Sequence, residues 1–430
     1  AGAGTGKTRT LVARYLSLLA EGLALRSVVA VTFTQKAARE MRNRVRDEVR
    51  RYLERAGLTP TEREQWQEVY TGLDAARIGT IHSLCAEILR AHPAEAGLDP
   101  RFDMLEEGRI AILRGRALEE ALTWAADDEA AVTLFTLLGE GGLRDALDSL
   151  VKQRLDVASA LAGLPADALA HWRDAIAARQ GRVLDQLLAL PEWQDAVSTL
   201  AGSAANAPDD PVEIQRLAAL AAVGASGEGL DERLAALSRL DGINLSGGRQ
   251  ASWPGGKDEL GAVKAALKRL RALWKDRASV LGRRLNALDE RMAAALPALR
   301  AAFATACERY EALKRERNGL DFDDLEDRTL ALLREHPGVR EGWQREVAAL
   351  LVDEFQDTNG RQRGLVRILN GAGGKLFIVG DAKQSIYGFR GADVTVFRAE
   401  RERIPREGGV AFGLAVSYRA HRELVEGLND

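Results

Sequence analysis

Two cysteines in 430 residues, Cys85 and Cys307, cannot build a disulfide framework, and their spacing suits no metal. Eleven prolines are too few for a polyproline or low-complexity chain. No uninterrupted apolar run approaches the ~18 residues that a membrane-spanning helix requires, and the first residues lack the pattern of a secretory signal. The chain therefore reads as cytoplasmic, with no membrane partner and with reduced, half-buried thiols. An excess of either charge is missing too. Against 60 basic residues stand 63 acidic ones, a net of −3, so no global cationic field draws nucleic acid and any such contact must be a local patch. Only ten of the 60 cations are lysine, which reads as coding bias.

What is present is the composition of a globular protein, 46% hydrophobic and 29% charged. At ~150 residues per domain, the length allows about three domains. Short β-branched and apolar runs occur at 28–32, 78–81, 349–352, 375–379 and 410–414, and helical patterns follow the earlier ones. Over 35–55, Ala38, Met41, Val45, Val49 and Tyr52 recur every three or four positions, which makes one apolar helix face. Strands alternating with helices predict an α/β fold on a parallel, doubly wound sheet. From 101 to 319 the pattern is helical throughout, broken by turn-rich stretches at 207–211, 224–229 and 241–256. The expected organisation is a sheet domain at 1–100 and 320–409, an all-helical domain inserted at 101–319, and the start of another domain at 410–430.

The chain opens with AGAGTGKT at residues 1–8. Gly4 and Gly6 let consecutive backbone N–H groups turn toward one point at a helix N-terminus, a nest for phosphate oxygens. Lys7 would reach the β- and γ-phosphates, and the Thr8 hydroxyl would serve Mg²⁺. No strand leads into this loop, so the sequence reads as a piece whose first strand is missing. The apolar run LLVDE at 350–354 ends in two acids: Asp353 suits a magnesium water shell, and Glu354 would polarise an attacking water. Gln384, just past the run at 375–379, and Arg419 are placed to sense the γ-phosphate. Arg39, Arg42, Arg46 and Arg50 line one helix face, but Glu40, Asp47 and Glu48 stand among them, which predicts a solvated, salt-bridged face rather than a DNA grip.

In order along the chain stand GTGKT, VTFTQKAAREM (31–41), TIHSLC (80–85), LDFDDL (320–325), VDEFQDTN (352–359), VGDAKQSIYGFRGAD (379–393) and SYR (417–419). This series resembles the UvrD/Rep-type helicases of superfamily 1. The segment DAKQSIY and the long helical insertion are most similar to the AddA/RecB helicase–nuclease subunits. The resemblance implies a RecA-like P-loop NTPase sheet and the beginning of a second RecA-like domain. It implies that Ala3, Gly4, Thr5, Gly6, Lys7, Thr8 and Arg9 bind ATP together with Asp353, and that Tyr418 stacks on adenine. Lys7, Glu354, Gln384 and Arg419 would carry hydrolysis, with Thr8 and Asp353 on Mg²⁺.

The same resemblance assigns Phe33, Thr34, His82, Ser83, Tyr387, Phe389 and Arg390 to a single-strand channel. Aromatic platforms there would bind bases with little sequence preference, at ~1–3 kcal/mol each. It implies a 3′-to-5′ DNA translocase and helicase of double-strand-break repair and recombination, acting on single-stranded and duplex DNA with a helicase–nuclease partner subunit. Two alternatives stay open at this point: a UvrD/Rep-like repair helicase without a nuclease, and a non-motor ATP-binding scaffold subunit. Because the later motor blocks do not occur before residue 430, the chain alone is expected not to unwind DNA.

Overall fold

A computed structural model describes residues 6–225, 229–384 and 394–414. They fall into two compact units, one formed by Ala1–Ala117 with Glu308–Asp430 and the other by Leu118–Cys307. The first unit holds a four-stranded sheet, built from β1 (Val28–Thr32), β2 (Ile78–Thr80), β5 (Ala349–Val352) and β6 (Leu376–Ile378). Two further strands, β3 (Asp103–Met104) and β4 (Gly319–Leu320), pair only with each other. Strand order in the main sheet is β2-β1-β5-β6, and every pair is parallel.

β1 and β5 are buried at every position, as expected of central parallel strands covered on both faces. Alternate side chains therefore serve two cores. Val28, Ala30, Ala349 and Leu351 pack with helices α1 (Lys7–Ala20) and α2 (Gln35–Leu53). Val29, Val31, Leu350 and Val352 face the opposite way, toward α3 (Ile81–Ala91), α4 (Phe322–Glu335) and α5 (Gly360–Asn370). Each fully buried Val or Leu contributes roughly 1.5–3 kcal/mol. In α2 the expected stripe is present: Ala38, Met41, Val45 and Val49 are buried, and Tyr52 is half-buried against the Trp66 ring, 5.2 Å away.

The order of the sheet fixes where a site can form. From β1 the chain steps outward to β2, then returns to the other side of β1 as β5. The direction of travel across the sheet thus reverses between β1 and β5, and the crevice beyond their carboxyl ends is where such sheets bind ligands. The residues that follow β1, β2, β5 and β6 all emerge on that edge.

α4 is held by a buried ionic cluster. Lys314, 1% exposed, sets its Nζ 2.6 Å from Asp324 Oδ2, 2.6 Å from Glu311 Oε1 and 3.4 Å from Asp321 Oδ2. The Tyr310 hydroxyl donates to Asp321 at 2.9 Å. Asp321 and Asp324 also form the capping box that begins α4, each carboxylate accepting from the other's backbone N–H.

The second unit is helical in its described residues, with its core around Trp193, Trp253 and Trp274. Gly-rich breaks there are closed by side chains. Arg249 pairs with Asp209 at 2.6 Å, and the Arg249 backbone N–H donates to buried Asp210 at 2.7 Å. Among the described residues no helix is long and apolar enough to cross a membrane.

Three expectations need correction. The run at 410–414 forms no strand: Val410 is 68% and Phe412 82% exposed, and no described strand lies beside them to complete a ladder. The helical span from 101 contains a strand after all, β3, too short at two residues to show a periodicity. Cys85 is fully buried rather than half-buried, although neither cysteine enters a disulfide, as expected.

Candidate nucleotide and nucleic-acid site

Lys7 opens α1, and the residue before it turns the chain. Gly6 has φ +82°, a left-handed conformation that any side chain would strain. Lys7 is then directed inward, 8% exposed. Its Nζ donates to Glu354 Oε2 and to Gln384 Oε1, both at 2.9 Å. Three residues from distant parts of the sequence therefore meet around one ammonium group.

Glu354 follows β5 with φ +48°, one of two non-glycine residues at positive φ among those described. Such a conformation costs on the order of 1–3 kcal/mol and persists where neighbours enforce it. The neighbours here are explicit. Gln356 Nε2 donates to Glu354 Oε2 at 2.8 Å and to Asp357 Oδ2 at 3.2 Å, while its Oε1 accepts the Asp381 N–H at 2.8 Å. Gly380 is glycine for a packing reason: a Cβ there would stand 2.7 Å from Gln356 Oε1 and 3.0 Å from the Phe397 ring. Gln356 thus ties the end of β5 to the segment after β6, which carries Gln384.

Carboxylates outnumber cations at this point. Burial, then the charge of Glu354, pushes Asp353 up to about 6, and the same two causes raise Asp357 to about 6. Asp353 is 7% exposed and accepts the Glu354 N–H at 3.0 Å. Asp357 Oδ1 is buried without a hydrogen-bond partner. Three acids against Lys7 leave a local surplus of negative charge, which a divalent cation would relieve. The donors fit magnesium, a hard ion that takes oxygen ligands and keeps most of its waters. Asp353 and half-buried Thr8 would hold it. Among the described residues no group of three or more His, Cys, Asp or Glu is arranged to hold a metal directly, so the protein would supply few of the ligands. Arg9 is exposed beside Thr8.

The second set lies beyond β1 and β2. Thr34 caps α2, its hydroxyl accepting the Ala37 N–H at 3.1 Å, and remains exposed; Phe33 is half-buried. Gln35 Nε2 donates to the Ser83 hydroxyl at 3.1 Å, which in turn lies 3.0 Å from the Thr80 hydroxyl. Gln35 therefore joins the end of β1 to the start of α3. His82 Nε2 is 3.0 Å from Glu326 Oε1, and its ring lies 4.5 Å from that of Phe322, which is 43% exposed. The four residues Phe33, Thr34, His82 and Ser83 thus share the carboxyl edge of the sheet with Lys7, Glu354 and Gln384. Ala3, Gly4, Thr5, Tyr387, Phe389, Arg390, Tyr418 and Arg419 lie outside the described residues.

The arginine stripe on α2 is salt-bridged in part, as expected, while Arg42 departs from that reading and turns to a backbone carbonyl. Arg46 pairs with Asp74 and Arg50 with Asp47, both at 2.6 Å, and Arg42 donates to the Ile78 carbonyl at 2.6 Å.

Against this geometry, the model of the UvrD/REP helicase N-terminal domain matches residues 1–405. The chain belongs to that family. Curated relatives are named as subunits of an ATP-dependent helicase/nuclease. The protein of Desulforudis audaxviator (strain MP104C) is 32% identical over 494 residues, across 100% of this chain and 38% of its own length. That of Limosilactobacillus fermentum is 29% identical over 489 residues (100% and 35%), and that of Listeria monocytogenes serotype 4a (strain HCC23) 28% over 472 (100% and 37%). The chain spans a little over a third of the length of these relatives.

Within this UvrD/REP domain, three residues of the site were not singled out in the sequence. Gln356 and Asp357 stand inside the block VDEFQDTN, where only the acidic pair had an assigned chemistry. Glu326 lies in α4, on a helix pattern in which a lone acid reads as a surface residue. Their signal is proximity to the named blocks, not their own residue type.

Proposed function

We propose that this chain is the ATP-hydrolysing portion of a 3′-to-5′ DNA translocase and helicase of double-strand-break repair and recombination, belonging to a helicase–nuclease. The observation that carries the reading is the meeting of Lys7, Glu354 and Gln384 at one edge of a parallel sheet. An ammonium hydrogen-bonded to two acceptors, beside a left-handed Gly6 that starts a helix, is prepared to exchange those acceptors for phosphate oxygens. Released from Lys7, Glu354 acts as the base that polarises water. Gln384 reports whether the γ-phosphate is present.

Mg²⁺, held when bound by Thr8 and Asp353, supplies charge neutralisation of the phosphates. Loop residues Ala3, Gly4, Thr5, Gly6 and Arg9 cradle the nucleotide in this reading, Tyr418 stacks on adenine, and Arg419 completes the γ-phosphate contacts from a second RecA-like domain. Phe33, Thr34, His82, Ser83, Tyr387, Phe389 and Arg390 form the track for a single strand, with hydroxyls on phosphates and rings on bases. The helical unit is read as an insertion that meets duplex DNA or another subunit, and the compartment as the cytoplasm.

The relatives' name supports a helicase paired with nuclease activity, and the intact trio Lys7, Glu354 and Gln384 favours a motor over an inert scaffold. Polarity is tested by strand displacement with the intact protein on duplexes bearing a single-stranded tail at one end. Unwinding from a 3′ tail and not from a 5′ tail is expected. The opposite preference would overturn the assignment.

A further inference from the structure

Glu326 has no chemical role in the account so far, yet it is 2% exposed and surrounded by donors from two other elements. His82 Nε2 from α3 and Gln362 Nε2 from α5 reach Oε1 at 3.0 and 2.6 Å. Asn359 Nδ2 reaches Oε2 at 3.0 Å, and Arg361 Nε lies 3.5 Å from the same oxygen. Burial acts to raise this carboxyl, but the hydrogen bonds of His82, Gln362 and Asn359 outweigh it and hold it below the ordinary carboxylate value. Packing does not require an acid here, because Leu325, Leu330, Leu332 and Leu333 already supply the apolar face of α4. A buried ion must be compensated at every atom, so its presence fixes its partners.

Those partners stand between the two halves of the site. Asn359 caps α5 and is locked to Gln362: each side-chain oxygen accepts the other's backbone N–H, at 2.8 and 3.4 Å, and each amide nitrogen is left for Glu326. Upstream of Asn359 runs the short turn Phe355–Asp357, whose Gln356 holds Glu354. On the other side, His82 sits in the first turn of α3 beside Ser83. The route from the strand-contacting edge to the water-polarising carboxylate therefore runs through hydrogen bonds and one short turn: His82, Glu326, Asn359, the turn, Gln356, Glu354. Moving His82 would leave a buried carboxylate oxygen short of a donor unless Asn359 and Gln362 move with it.

We propose that Glu326 is a positioning residue that couples occupancy of the single-strand surface at His82 and Ser83 to the placement of Glu354. The inference rests on the motor reading given above. It makes the coupling a free energy shared between two sites, so nucleotide must change strand affinity by the same factor as strand changes nucleotide affinity.

The experiment measures the affinity of the intact protein for a single-stranded oligonucleotide with and without a non-hydrolysable ATP analogue, alongside ATP turnover without DNA. Two variants are compared with wild type. Glu326→Gln removes the charge but keeps an acceptor. Asn359→Ser keeps a good helix cap and the Glu326 charge and removes the amide donor to Glu326, so it tests the same link at a half-buried residue should the first variant fail to fold. Both variants are expected to bring the affinity ratio toward one, by roughly two- to thirtyfold, while turnover without DNA stays within about twofold. Melting temperature separates a purely structural pin from a coupler. Lower melting with an unchanged affinity ratio would refute the inference and leave the motor reading intact. A wild-type protein whose strand affinity ignores the analogue, and whose turnover ignores DNA, would refute both.

Discussion

Replacing Asp353 with Asn should stabilise the nucleotide-free, metal-free protein while destroying its activity. Asp353 is 7% exposed, and burial together with Glu354 raises it from 3.8 to about 6. A shift of that size corresponds to roughly 3 kcal/mol of penalty on the ionised form, an upper value because the Asn side chain must be buried too. The sign follows from which state holds the proton. Between about pH 4 and 6 the folded chain keeps a proton that the unfolded chain has lost, so stability falls as pH rises through that window. Above it the penalty is fully present. Asn is isosteric, carries no charge, and can still accept the Glu354 N–H. Urea unfolding with EDTA and no nucleotide should therefore find Asp353→Asn more stable than wild type by about 1–3 kcal/mol at pH 7.5, with the gain falling to about a third of that at pH 4.5. A variant no more stable than wild type at pH 7.5 would mean that the carboxylate is already compensated, and the idea of a cation-seeking surplus at this edge would fail. A gain of this kind is the usual relation between a functional site and the stability given up to keep it.

Other changes test separate joints of the account. Gln384→Ala removes one acceptor from Lys7 and should leave oligonucleotide affinity within about twofold while abolishing DNA-stimulated hydrolysis; equal loss of both would contradict the assigned role. Gly380→Ala places a methyl against Gln356 and Phe397 and should lower stability by about 1–3 kcal/mol in denaturant titration, with a larger proportional loss of ATP turnover. Lys314→Ala leaves Asp321 and Asp324 buried without their cation and should cost about 3–5 kcal/mol; a melting curve like that of wild type would show that the cluster is not coupled to folding of α4.

Much of the sheet was legible because its central strands are buried on both faces. The runs at 28–32 and 349–352 coincide with β1 and β5 residue for residue, since a short continuous apolar run fits a strand covered on both faces. At the edge the reading weakened. β6 is shorter than its run, and the run at 410–414 has no described neighbour to make it a strand. Pattern describes a residue's own preference, whereas a strand is a property of two segments. The same distinction applies to the site. Lys7, Glu354 and Gln384 could be named separately because each carries an unusual chemistry at a helix start or just past a strand, and the fold then brought them within hydrogen-bond reach. Gln356 and Glu326 could not, because their importance lies in which partners they join. His82 illustrates the middle case: its position was flagged, but its bond to a buried glutamate was not visible until α4 was placed beside α3.

The central claim is that hydrolysis at the Lys7–Glu354–Gln384 edge answers to a strand lying across Phe33, Thr34, His82 and Ser83. It is tested most directly by ATP turnover of the intact protein with magnesium, with and without a single-stranded oligonucleotide. The account predicts a rise of at least about tenfold on adding DNA, lost in Glu354→Gln. Turnover that is the same in both conditions would contradict it.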